Sequence, residues 1–139
     1  MRVTISQKPA DIPGNYFRVE PWARDITWFI AHEDDGTPLG QMAIMRKGQH
    51  WWTDYLFVRE DARGRGVVRE LIREMFPYAA ELTDHLWENC EGVLPEDLQR
   101  NNGRYGLKMD IMNTGVTSKG RPFTLIRRHV GALRKKRTA

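Results

Sequence analysis

The stretch from Trp52 to Met75 constrains the fold of this chain more than any other part of the sequence. Its beginning is mostly aromatic and aliphatic, and the alternation of side chains along a strand divides these residues between two faces. One face carries Trp52, Leu56 and Val58, and the other carries Trp51, Tyr55 and Phe57. Because both faces are apolar, the sequence predicts a central strand that is covered on both sides.

The same stretch then passes through a glycine turn into a helix. The run Arg63-Gly64-Arg65-Gly66 ends the strand pattern, and apolar residues follow at helical spacing with charged residues on the opposite face. The apolar face comprises Val67, Val68, Leu71, Ile72, Met75 and Phe76. The first N–H groups of such a helix have no partner inside it, and the positive end of the helix dipole adds to them, so this turn suits a phosphate. A second interpretation is a turn that uses glycine for its geometry alone.

The run from Leu56 to Ile72 resembles motif A of the GNAT acetyltransferase superfamily, which reads Gln/Arg-x-x-Gly-x-Gly/Ala. Arg63 and Gly66 match its first and fourth positions, and Val68 stands where the family has glycine or alanine. In the family this motif grips the pyrophosphate of acetyl-coenzyme A. The resemblance therefore implies a cofactor site at Phe57, Val58, Arg63, Gly64, Arg65, Gly66, Val67 and Val68.

Glycine, proline and apolar periodicity divide the rest of the chain into elements. We predict strands at 2–6, 26–32, 38–47, 52–59, 86–90, 108–113 and 122–128, and helices from Gly66 past Phe76 and from Pro95 to a cap at Gly103. Pro77 is expected to kink or end the first helix, with a further turn after it. From the second strand onward this is the order of the GNAT family. It implies an α/β fold with a GNAT-like mixed, mostly antiparallel central sheet, one parallel strand pair and flanking helices.

The N-terminal part leaves little room for the two helices that shape the acceptor groove in the family. Pro21 excludes a continuous helix over residues 15–25, and Pro9, Pro13 and Gly14 break any long element before it. We therefore expect an acceptor site that is either reduced or completed by something else.

Length and composition indicate one domain over residues 1–129 followed by a basic tail, 130–139. Cys90 is the only cysteine, which excludes an internal disulfide and a zinc cluster of cysteines and fits a cytoplasmic protein. The N-terminal residues contain no hydrophobic signal core, and no apolar run is long enough to cross a membrane, so neither secretion nor a membrane helix is expected. No metal is expected.

Residues 127–139 hold six of the 22 basic residues and no acid, whereas the other 16 basic residues face 18 acidic ones. Such a segment suits weak, non-specific contact with nucleic acid or with an acidic partner. The alternative is a solvated terminus that buries little.

The resemblance also locates the chemistry. In the family the central strand and the next parallel strand part at one end, and pantetheine enters the gap. Its amides bond to the backbone near Phe57 and Val58, and an N–H there can polarise the thioester carbonyl. The attacking amine needs a base. The candidates are Glu88, which comes first because its strand borders the gap, then Asp54 and Glu60, although each also fits a solvated carboxylate. We interpret His50 as structural.

The family's usual acid is a tyrosine four residues before a Gly-Phe pair. Here Gly106-Leu107 resembles that pair, and four residues earlier stands Asn102, which cannot deliver a proton. Tyr105 is the nearest tyrosine, and core packing is its alternative role.

The leading hypothesis is therefore an enzyme that moves acetyl from acetyl-coenzyme A to an amine of a small molecule or protein. A homodimer or a larger assembly is compatible with it. The run from Leu86 to Ile126 also resembles an acetyltransferase-like internal virion protein of short-tailed phages. A catalytically silent GNAT-like binding or structural protein is thus the alternative. A small nucleic-acid-binding protein that uses the tail and the Arg63/Arg65 loop is the third.

Overall fold

The computed structural model describes residues 1–102 and 106–134. The strands are β1 (Arg2–Ser6), β2 (Arg24–His32), β3 (Pro38–Lys47), β4 (His50–Val58), β5 (Leu86–Glu91), β6 (Met109–Val116) and β7 (Pro122–Arg128). The helices are α1 (Val67–Leu82) and α2 (Pro95–Asn102), with a 3-10 turn at Glu60–Ala62.

All seven strands form one sheet in the order β1-β2-β3-β4-β5-β7-β6. The β4–β5 pair is parallel, and the other pairs are antiparallel. The expected fold class is confirmed, and so are the β2-β3-β4 meander and the final hairpin. The cap predicted at Gly103 lies outside the described residues.

Helix α1 covers one face of the sheet. Its buried residues recur at helical spacing and pack against Phe29, Leu39 and Ile44 of the sheet. They are Val67, Leu71, Met75, Phe76, Ala79 and Ala80. The helix continues through Pro77 to Leu82, so the further turn is confirmed.

A bulge in β4 overturns the predicted division of its side chains. Gln41 pairs with Phe57 and Ala43 with Asp54, so two steps along β3 face three along β4. Tyr55 sits at this bulge with a φ of 59°. The extra residue reverses the alternation, so Trp51 and Val58 share the α1 side of the sheet, whereas Trp52 and Tyr55 share the other. The predicted faces were wrong because they assumed unbroken alternation.

The N-terminal segment covers the second face without forming a helix. Between β1 and β2 the described chain has turns and irregular backbone. Ile12 is 2% exposed, and the buried side chain of Gln41 accepts from the N–H of Ala10 and donates to its carbonyl. Phe17 lies against Tyr55 and Phe57, at 6.4 Å between ring centroids in each case. As Pro21 predicts, no helix forms over residues 15–25, and irregular backbone covers this face instead.

The chain after β7 packs against the body. Val130 is fully buried in the α1-side core, and Leu133 packs against that core. Arg134 donates to the carbonyls of Ala80 and Thr83 at the end of α1. The expectation that the chain buries little from residue 130 onward is therefore wrong for residues 130–134. The apolar residues in this basic run were undervalued because charge dominates its composition.

Candidate functional site

Strands β4 and β5 part after a short parallel contact. Their ladder consists of Trp51 with Leu86 and Trp52 with Trp87. Beyond it β4 stays with β3, while Glu88 to Glu91 stay with β7. The edge of β4 that faces β5 therefore carries backbone groups without a ladder partner among the described strands. The gap that the resemblance implied is present.

A groove of about 740 Å³ adjoins the open end of this gap, where the chain leaves β4 and enters α1. Its lining residues are Val58, Ala62, Arg63, Gly64, Gly66, Val67, Val68, Arg69, Ile72 and Arg73. Six of the eight predicted cofactor residues belong to this set. The helix begins here, with Gly66 as its N-cap and no side-chain hydrogen bond to the cap. The first N–H groups of α1 are thus left for another partner.

Gly64 and Gly66 are required for conformation and not for space. Their φ angles are 79° and 81°, a region that other residues rarely adopt, and a Cβ on either would meet nothing within 4 Å. Gly40 acts differently, because a Cβ there would lie 2.9 Å from the Phe57 carbonyl and from Val67. It lets β3 approach both β4 and α1, which fixes the backbone of Phe57 and Val58 beside the groove.

The arginines of the motif do not all face the groove. Arg63 lines it and donates through Nε to the Val58 carbonyl at 3.3 Å. Arg65 is absent from the lining and forms an ion pair with Glu33 at 2.5 Å. Arg69 and Arg73 bring positive charge to the wall instead. Sequence reasoning missed them, although their i, i+4 spacing places both on the same side of the helix as the groove.

Glu88 lies on the α1 side of β5. Its carboxylate accepts from Nη1 of Arg128, whose guanidinium lies 5.7 Å from the Phe76 ring centroid of α1. The Glu88 side chain is 28% exposed and that of Arg128 is 11% exposed. Burial first, and then the Glu88 charge, raises the pKa of the neighbouring Cys90 thiol to about 12. The thiol therefore stays protonated at neutral pH and is not an activated nucleophile.

Asp54 lies on the opposite face. It accepts from the Tyr55 N–H at 2.7 Å and from Lys47 Nζ at 3.1 Å, and Lys47 also contacts Glu20. Burial lowers the pKa of Lys47, but the two carboxylates outweigh it, and the net shift is upward. The structure does not bring Asp54 and Glu88 together.

The remaining candidates are dispersed. Glu60 is exposed in the 3-10 turn, and His50 stacks on Trp87 at 4.4 Å between ring centroids, in keeping with a structural role. Asn102 ends α2, and Tyr105 lies outside the described residues. In the described part of the chain no group of three or more His, Cys, Asp or Glu side chains is placed to hold a metal ion. No helix of that part is long and apolar enough to span a membrane.

Comparisons with known proteins agree with this arrangement. A model of the acetyltransferase (GNAT) family matches residues 4–92. An aminoglycoside 6'-N-acetyltransferase complexed with coenzyme A is similar at TM-score 0.59 and 10% identity, over 76% of this chain and 73% of that one. Nourseothricin acetyltransferase gives 0.56 and 23%, over 76% and 66%. An acyl-CoA N-acyltransferase from Pseudomonas aeruginosa gives 0.58 and 19%, over 75% and 68%. No curated protein sequence matches the chain.

Proposed function

The chain belongs to the GNAT acetyltransferase family, and we propose that it transfers an acetyl group from acetyl-coenzyme A to an amine of a small molecule or a protein. The observation that carries this proposal is the groove at the start of α1, which opens directly beside the gap between β4 and β5. A groove suited to phosphates is thus next to a gap between two strands. Acetyl-coenzyme A needs both, because it is a long molecule with phosphates at one end and a thioester at the other.

The residues of the groove fit the phosphates of this substrate. In this proposal the backbone N–H groups from Gly64 to Val68 bind the pyrophosphate, and Arg63, Arg69 and Arg73, which line the groove, supply positive charge. Ile72 and the three valines of the lining offer an apolar wall to the remainder of the molecule. Val68, which departs from the family motif, is part of that wall.

The free edge of β4 at Phe57 and Val58 holds the amides of pantetheine, and the thioester reaches the point at which the strands part. The amine nitrogen attacks the thioester carbon, a C–N bond forms, and the C–S bond breaks. The amine loses one proton to a base, and the thiolate leaves and takes a proton from water or from Tyr105. Glu88 directly follows Trp87, the last β5 residue that pairs with β4, and remains our first candidate for the base. Asp54, engaged by Lys47, is the second.

Calorimetric titration with acetyl-coenzyme A tests the cofactor part of the proposal. Gly66→Glu should abolish binding, because it adds bulk and negative charge where the phosphates lie. Gly120→Glu is a matched control, because Gly120 also has a φ of 81° and a Cβ there would meet nothing within 4 Å, but it lies in the β6–β7 turn. An absence of binding heat with the wild-type protein at millimolar acetyl-coenzyme A would contradict the proposal.

A catalytically silent GNAT-like binding protein, phage-encoded and virion-associated, is the second candidate. The observation that favours it is Asn102 at the position of the family's acid. It predicts that acetyl-coenzyme A binds without turnover of any amine offered, whereas the enzyme releases free thiol that a thiol reagent detects.

A further inference from the structure

A second groove, of about 510 Å³, lies at the other end of the sheet. It is lined by Trp22, Arg24, Asp25, Arg46 and Gly48. Arg46 pairs with Trp51, whereas Val58 of the first groove stands at the far end of the same strand. At about 3.3 Å per residue the two sites are separated by roughly 20 Å. The acetyl-transfer proposal makes no use of this groove.

The sheet holds two arginines directly opposite each other in this groove. Arg24 of β2 is the register partner of Arg46 of β3, an arrangement that is unfavourable for like charges. A bulge between Arg24 and Thr27 creates this pairing, and Asp25 within it has a φ of 53°. Gly48, on the other side, has a φ of 63°. Both arginines thus line one groove, next to backbone that departs from regular strand geometry.

The two arginines of this groove have no carboxylate within ion-pair distance in the described chain. Neither arginine forms an ion pair with any described residue. The guanidinium carbon of Arg46 lies over the Trp51 ring, at 5.8 Å from its centroid. Trp22 is 63% exposed at the rim. Two guanidinium groups and an exposed indole are the groups that bind a phosphate and a stacked base.

We propose that this groove binds single-stranded nucleic acid, with a phosphodiester between Arg24 and Arg46 and a base on Trp22. Asp25 lowers the formal charge of the lining to one positive unit, which matches the single charge of a phosphodiester.

Fluorescence anisotropy with a labelled oligothymidylate tests the proposal. The double variant Arg24→Gln with Arg46→Gln should weaken binding on the order of tenfold or more. It should also reduce the slope of log affinity against log salt concentration by roughly 0.7 for each phosphate that the variant no longer neutralises. Trp22→Ala should weaken binding on the order of tenfold, because the base no longer stacks on the indole.

The matched control removes two exposed arginines elsewhere, Arg2→Gln with Arg100→Gln, and should change affinity less than about twofold. The melting temperature of the Arg24/Arg46 double variant should not fall, because a like-charge pair is removed.

Four outcomes would overturn the proposal. They are an equal loss in both double variants, tighter binding of a duplex of the same length, equal competition by polyglutamate, and loss of binding on deletion of residues 135–139 alone with no effect of the arginine variants. The Gly66→Glu variant separates this site from acetyl transfer, because it should bind oligothymidylate like the wild type. The nucleic-acid proposal and the acetyl-transfer proposal can therefore be contradicted independently.

Discussion

Glu88 joins a proposed chemical role to a structural one, and a single substitution tests both. Glu88→Gln keeps the shape of the side chain but removes the base, so turnover should fall about 100-fold or more. The affinity for acetyl-coenzyme A should stay within about twofold, because the phosphate groove is untouched. Steady-state kinetics on the amine acceptor and calorimetry give the two values.

The same variant should also lose stability, since Arg128 is 11% exposed and its Nε is already buried without a hydrogen-bond partner in the described chain. The expected cost is about 1–3 kcal/mol in urea unfolding. Asp54→Asn serves as the comparison, because it breaks an ion pair on the other face. If Glu88→Gln lowers stability but not turnover, Glu88 is structural only, and Asp54 becomes the leading candidate for the base.

Tyr55 shows why residue patterns misjudged the faces of β4. An aromatic residue with positive φ is rare, and the identity of the side chain does not predict that conformation. Burial of its ring and the bond from the Glu20 N–H to its hydroxyl hold it in place. These contacts join residues far apart in the sequence, so the alternation of side chains along one strand does not predict them. The groove glycines were easier to find, because Gly64 and Gly66 are needed for their own backbone angles.

Helix α1 contains a proline in its interior, where this residue weakens helical hydrogen bonding. Pro77 stands well inside α1 and offers no N–H to the Arg73 carbonyl. Pro77→Ala restores that donor and should raise the free energy of unfolding by about 1–3 kcal/mol, measured in urea. Pro95→Ala, at the first position of α2, is the control and should change stability by less than about 0.5 kcal/mol. A destabilised Pro77→Ala protein would mean that the backbone conformation at Pro77 serves the packing of Phe76 and Ala80.

At the scale of elements, glycine, proline and apolar periodicity were sufficient to predict the bounds of several strands and the start of one helix. Strands β1, β3 and β7 have the predicted bounds, and α2 starts at Pro95 as expected. β2 begins at Arg24, before the predicted Ile26, because the bulge at Asp25 lets pairing resume beyond it. The strand following α1 was found from its apolar residues. Its short contact with β4 came from the family resemblance and not from the residues.

At the scale of the whole molecule, the described residues after β7 bind back to the rest of the domain, at the end opposite the proposed cofactor groove. Gly131 donates to the Asp84 carbonyl, and His129 donates to the Lys108 carbonyl. Leu133 and Val130 then pack against the α1-side core. We therefore propose that the single domain extends from residue 1 to residue 134.

Two truncations test that boundary. Deleting residues 135–139 should leave the melting temperature unchanged within about 1 °C. Deleting residues 130–139 should cost about 3 kcal/mol, roughly 10 °C, because Val130 is 0% exposed and Arg134 binds carbonyls at the end of α1. Thermal unfolding by circular dichroism measures both. Val130→Ala, expected to cost about 1–2 kcal/mol, keeps the test valid if the longer truncation does not fold. Equal melting temperatures for the wild-type protein and both truncated proteins would mean that the domain ends at His129 and that the following residues add no packing energy.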